Sequence, residues 1–132
     1  FELNQMDIEG VAGRCFYVEE EGLPPYDELI YVAHKETMDI DRIARFLKAA
    51  EQATQYIVNH PDASWEIFAG TSRELRDELN ARAWSDTWPR FALRPAALDA
   101  GRYLTFEAFL HESGLIPGIN PIGSIARDVT DQ

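Results

Sequence analysis

Two adjacent prolines, Pro24 and Pro25, separate the two runs of this chain with the strongest strand character, and that limits the fold more than any other feature. The runs are Arg14-Cys15-Phe16-Tyr17-Val18 and Glu28-Leu29-Ile30-Tyr31-Val32-Ala33, both rich in aromatic and β-branched residues. Each proline lacks a backbone donor and pushes the residue before it into extended backbone, so Gly22-Leu23-Pro24-Pro25-Tyr26-Asp27 is expected to be a stiff crossing segment. The local expectation is two strands joined by an extended connection.

From Asp39 onward the period becomes helical. Ile40, Ile43, Phe46, Leu47, Ala50, Ile57 and Val58 fall near one face, with Asp39 as N-cap, which predicts a helix of about five turns. It should stop at Asn59-His60-Pro61, because the residue before a proline avoids the α region. Pro61 then suits the first position of a short helix through Phe68, closed by Gly70. Thr71-Ser72-Arg73-Glu74 has the capping-box pattern, with Thr71 as N-cap of a helix that turns Leu75, Leu79 and Ala83 inward. Another helix is expected from about Pro95 or Asp99 to Ser113, stopped by Gly114, followed by a tail through Pro121 too broken by proline and glycine for a long element.

Strands come first and helices after, without βαβ alternation, which alone describes a small α+β domain. A chain of 132 residues can bury roughly two-thirds of its unfolded surface, so a core is possible. Two or three strands are few for so many amphipathic helices, however, and the chain is expected to be a piece of something larger.

The formal charge of −11, from 12 Lys and Arg against 23 Asp and Glu, argues against nucleic acid and anionic membrane surfaces as partners. The single cysteine, Cys15, excludes an internal disulfide and reads as a buried small hydrophobe. His34, His60 and His111 stand far apart, so no metal site is expected, and no phosphate-binding glycine loop or nucleophile elbow occurs. Glu19-Glu20-Glu21 reads as a solvated strand end, and Asp27 and Glu28 as turn residues. Trp65 is expected in the core, with Trp84 and Trp88 flanking a helix end. In Phe1-Glu2-Leu3-Asn4-Gln5, polar Glu2 and Asn4 sit between apolar neighbours, the alternation of an extended segment aiming polar groups at a site, or equally of a solvent-facing strand.

Phe1-Glu2-Leu3-Asn4-Gln5, the stretch from Phe16 to Ala33 with its Pro24-Pro25-Tyr26-Asp27-Glu28-Leu29 core, and Phe46-Leu47-Lys48-Ala49 with Tyr56 and Asn59-His60-Pro61 together resemble the thiamine-precursor pyrimidine-binding (ThiY-like) components of ABC importers. The resemblance implies an α/β fold, the C-terminal portion of a type II periplasmic binding protein, helix-rich with a few strands. Residues of about 1–25 would end one lobe and the hinge, and about 26–132 would supply the returning strand and helices of the other lobe. It further implies a non-enzymatic binder of an aminopyrimidine of hydroxymethylpyrimidine or formylaminopyrimidine type, with Glu2, Asn4 and Tyr26 on the ligand and no cofactor. An ABC permease would be the partner and an extracytoplasmic compartment the location, any signal peptide lying upstream. Two alternatives stand beside it. One is an enzyme like the hydroxymethylpyrimidine phosphate synthases of the same fold family, whose cysteine-rich iron motif this chain lacks. The other is a non-binding fragment that forms a swapped homodimer.

Overall fold

The computed structural model describes residues 1–129. Its regular elements are all helical: α1 (Glu2–Ile8), α2 (Ile40–Asn59), α3 (Pro61–Ala69), α4 (Glu78–Thr87), α5 (Ala100–Glu112) and α6 (Ile122–Ile125). Short 3₁₀ turns occupy Arg73–Leu75 and Trp88–Arg90. No strand occurs among the described residues, so the α/β architecture implied by the resemblance is not visible in this chain. Both β-prone runs are irregular, and in the second Leu29 is 92% and Val32 85% exposed. The physical reason is that strand propensity acts through pairing. Pro24 and Pro25 hold the two runs from a tight hairpin, and an isolated two-stranded hairpin is marginal in water.

The helix boundaries follow local signals. Asp39 caps α2, its Oδ1 accepting the Arg42 N–H at 3.0 Å. Twenty residues make that helix about 30 Å long, and it ends where Pro61 begins α3. Gly70 does close α3 but at φ −72°, in right-handed backbone, with its N–H bonded to the Glu66 carbonyl. The Thr71 capping box does not form. Thr71 instead donates its hydroxyl to the Phe68 carbonyl at 2.7 Å, Ser72 caps the 3₁₀ turn, and Asp77 caps α4 through the Asn80 N–H at 2.7 Å. Asp99 caps α5 through the Arg102 N–H at 3.0 Å. Past α5, Gly114 adopts φ +70° while the Gly114 and Leu115 N–H groups bond the His111 and Leu110 carbonyls, the Schellman arrangement that needs a left-handed residue. Gly10 closes α1 in the same way, with Gly10 and Val11 bonded to Asp7 and Met6.

The opening segment is helix α1, not extended. Leu3 and Met6, three apart, share a face that Gly13 approaches closely, and this period outweighs the polar alternation of Glu2 and Asn4.

Contacts group the chain into two units. The first comprises Phe1–Cys15 and Phe46–Pro95, the second Phe16–Arg45 and Ala96–Gln132. In the first, α1 is tied to α4: Arg82 donates to Asp7 Oδ2 at 2.5 Å and to Glu78 Oε1 at 2.6 Å, and Asn4 Nδ2 donates to Asp86 Oδ2 at 2.7 Å. Trp84 packs between Trp65 (6.0 Å between ring centres) and Phe68 (5.3 Å), so these aromatics serve packing. Leu47 and Ala69 are its buried hydrophobic residues. In the second unit Val129 is buried, and the tail is pinned to α5 where Glu107 Oε1 accepts from the Asn120 N–H and side-chain amide. Cys15 is exposed, contrary to the expected burial, because the run it flanks joins no sheet. No helix among the described residues is long and apolar enough to cross a membrane.

Candidate functional site

Tyr26 leads to the smaller and less open of two hollows in the second unit. The segment after the two prolines has no regular structure, and the Tyr26 ring stacks on Phe106 of α5 with centres 4.8 Å apart and planes 15° from parallel. Phe106 in turn stacks on Phe109, 6.2 Å away, which carries the aromatic surface along the helix. Next to Tyr26, Asp27 Oδ1 accepts from Arg102 Nη1 at 2.5 Å, while Arg102 Nε lies 3.8 Å from Asp99 Oδ2. Tyr26, Asp27 and Ile30 from the segment and Arg102, Tyr103 and Phe106 from α5 enclose a pocket of about 190 Å³. The helical spacing of 102, 103 and 106 puts all three on one side of α5, so the helix presents cation, phenol and phenyl ring together.

The electrostatics are those of a small, partly solvated charge pair. The Asp27 hydrogen bond raises Arg102 further above its ordinary value, which keeps the guanidinium charged. Burial, and then the negative charge of Asp27, raises the Tyr103 phenol, with Arg102 opposing. Near neutral pH the pocket therefore offers a charged donor, a carboxylate acceptor, a neutral phenol and an aromatic wall. Such a surface can hold a planar ring bearing polar substituents. A broader and more open groove of about 750 Å³ runs between Leu23 and Pro24 and the Leu104–Glu112 stripe of α5.

Glu2 and Asn4 are placed differently. Both belong to the first unit, on α1, and two residues apart on a helix do not share a face. The Glu2 side chain is 90% exposed. The Asn4 amide is engaged with Asp86. Tyr26 belongs to the second unit. Sequence reasoning found Tyr26 but not Asp27, Arg102, Tyr103 or Phe106. The residues 102, 103 and 106 carry a helical-face signal, but nothing in sequence pairs Arg102 with an aspartate 75 positions away. Among the described residues no group of three or more His, Cys, Asp or Glu is arranged to hold a metal ion.

Comparison with known proteins adds a family to this geometry. Residues 1–64 match the family described as NMT1/THI5 like. That segment is NMT1/THI5-like. Over 118 residues, 89% of this chain, the sequence is also 44% identical to a Haemophilus influenzae protein named "Putative thiamine biosynthesis protein". The match covers 38% of that relative, so the chain spans about two-fifths of the length of the curated protein it resembles. No solved structure matches. The resemblance read from Phe1-Glu2-Leu3-Asn4-Gln5 and the Pro24-Pro25-Tyr26-Asp27 run is thus borne out at the level of the family, and the NMT1/THI5-like segment contains Glu2, Asn4, Tyr26 and Asp27.

Proposed function

We propose that this chain is the C-terminal part of a two-lobed binding protein that captures a thiamine-precursor aminopyrimidine, of hydroxymethylpyrimidine or formylaminopyrimidine type, for an ABC importer. The observation that carries the reading is the 44% identity, across 89% of the chain, to a protein named for thiamine biosynthesis, together with its NMT1/THI5-like N-terminal half. The pocket chemistry agrees with it: the Tyr26 and Phe106 rings offer a flat apolar surface, and a carboxylate can accept from an exocyclic amine. On this reading Glu2, Asn4 and Tyr26 contact the ligand, and residues up to about 25 finish one lobe. The protein works outside the cytoplasm, hands its ligand to a permease, and catalyses nothing.

The name of the Haemophilus relative supports a second reading, a pyrimidine-forming enzyme. The two separate on the full-length gene product. A binder gains thermal stability with hydroxymethylpyrimidine, about 2.7 kcal/mol at a hundred times its Kd, and shows no turnover. An unmoved melting temperature at ligand concentrations well above micromolar sinks the binding reading, and iron-dependent formation of a pyrimidine phosphate establishes the enzyme. The 132-residue chain alone is proposed to be able to form a homodimer by exchanging elements; a monomer by light scattering at high concentration refutes that.

A further inference from the structure

We infer that Asp27 is a specificity-determining carboxylate, positioned by Arg102, that accepts a hydrogen bond from an exocyclic amine on a single planar ring seated beside Tyr26 and Phe106. The inference rests on the proposed capture of an aminopyrimidine and adds to it Asp27, which the sequence suggested only as a turn residue, and Arg102, which no motif in the sequence singled out.

Three observations carry it. The pocket of about 190 Å³ is smaller than the 300–1,000 Å³ typical of sites for drug-sized ligands, which suits one ring. Its walls combine the nearly parallel Tyr26–Phe106 pair with polar groups converging from one turn of α5. Finally, Arg102 Nη1 donates to Oδ1 of Asp27 at 2.5 Å, which holds the carboxylate through one oxygen at the pocket wall and leaves the other as an acceptor. Arg102 is itself fixed at the start of α5, where its N–H is bonded by Asp99 Oδ1 at 3.0 Å and its Nε lies 3.8 Å from Asp99 Oδ2. Asp99 is thus the support of the support.

An ionised carboxylate accepts and cannot donate. An amino group on the ring satisfies it. The corresponding hydroxy compound, as its keto tautomer, brings an acceptor to the same place, and two acceptors face each other unpaired. The pocket therefore discriminates between amine and keto by the hydrogen-bonding sense of one group, and the expected preference is about 10- to 100-fold.

The test uses the full-length gene product and two probes, 4-amino-5-hydroxymethyl-2-methylpyrimidine and its 4-hydroxy counterpart, with affinities from titration calorimetry. The wild type should prefer the amine. Asp27→Asn keeps the side-chain shape and leaves its carbonyl oxygen for Arg102, turning an NH₂ toward the ligand, so the preference should fall to parity or invert. Arg102→Met should lower the amine-to-hydroxy ratio and Arg102→Lys should restore part of it. A merely structural role for either residue would weaken both probes alike and leave the ratio unchanged. A wild-type ratio in Asp27→Asn overturns this inference alone. Failure of the wild type to bind either ring overturns the proposed function, and this inference with it.

Discussion

Replacing Glu107 with alanine should release the C-terminal tail from α5 without unfolding the helix. Glu107 is 7% exposed, and its Oε1 accepts both the Asn120 backbone N–H at 2.7 Å and the Asn120 side-chain amide at 3.1 Å. A hydrogen bond to a charged group contributes roughly 1.5–3 kcal/mol. Asn120 is an exposed residue, so water replaces part of each bond once the carboxylate is gone, and about 2 kcal/mol for the pair is the reasonable expectation. At 1.36 kcal/mol per factor of ten, that is about a 30-fold loss of hydrogen-exchange protection at the Asn120 amide. This amide is a clean reporter because it lies outside every helix and bonds a side chain, not a carbonyl. Glu107→Gln keeps an acceptor in place and exchanges charge-assisted bonds for neutral ones, so its loss should be near fivefold, or about 1 kcal/mol. The Leu47 amide, in the other unit, should be unchanged in both variants. A loss below threefold in Glu107→Ala would show that the carboxylate does not hold the tail. Equal losses in the two variants would show that its charge matters and its position as acceptor does not.

Three further outcomes are expected. The Asn80 backbone N–H, and secondly its side-chain amide, hold the Asp77 carboxyl below its ordinary value of 3.8, so the α4 cap should persist above that pH and be lost as pH falls through the lowered value. An Asn80 amide shift that titrates at or above 3.8 would contradict this, and Asp77→Asn should abolish the titration while keeping the cap. Gly114→Ala should cost about 1–2 kcal/mol in chemical denaturation because φ is +70° there, although no atom lies within 4 Å of an added Cβ; Gly118→Ala, equally open but without positive φ, should be nearly neutral. Equal effects at the two glycines would remove backbone conformation as the cause. Tyr26→Ala should weaken binding of the aminopyrimidine probe in the full-length gene product by more than tenfold by removing one aromatic wall, while Tyr17→Ala, also exposed but outside the pocket, should not.

The parts of this fold legible in sequence are those whose cause is local. Asp39 and Asn59-His60-Pro61 mark both ends of α2, Pro61 opens α3, and Asp99 with Gly114 bounds α5, since caps, prolines and left-handed glycines act within a few residues. The misread start of α4 is instructive for the same reason. Thr71-Ser72-Arg73-Glu74 and Asp77 are both credible caps, and the choice between them depends on how the chain leaves α3, where Thr71 is already bonded to the Phe68 carbonyl. For α1 the polar–apolar alternation of five residues pointed to extended backbone, whereas the segment is a helix whose Asp7 is anchored by Arg82 from a helix 75 positions downstream. That partner cannot be read from the segment.

The same distinction between local and distant causes accounts for what became of the β-prone runs and of the site. A helix closes its own hydrogen bonds, so α2 and α5 form from their own sequences. A strand draws its bonds from another strand, and among the described residues neither Phe16–Val18 nor Leu29–Val32 forms one. The Tyr26–Asp27 segment between them is nevertheless located, because a ring stack and an ion pair need only one face of one helix. Its pocket therefore depends on α5 and its Asp99 cap, and the irregular runs on either side line it through Ile30. Fraying α5 by Asp99→Ala should then degrade Asp27-dependent selectivity, whereas changes at the exposed Val32 should leave it intact.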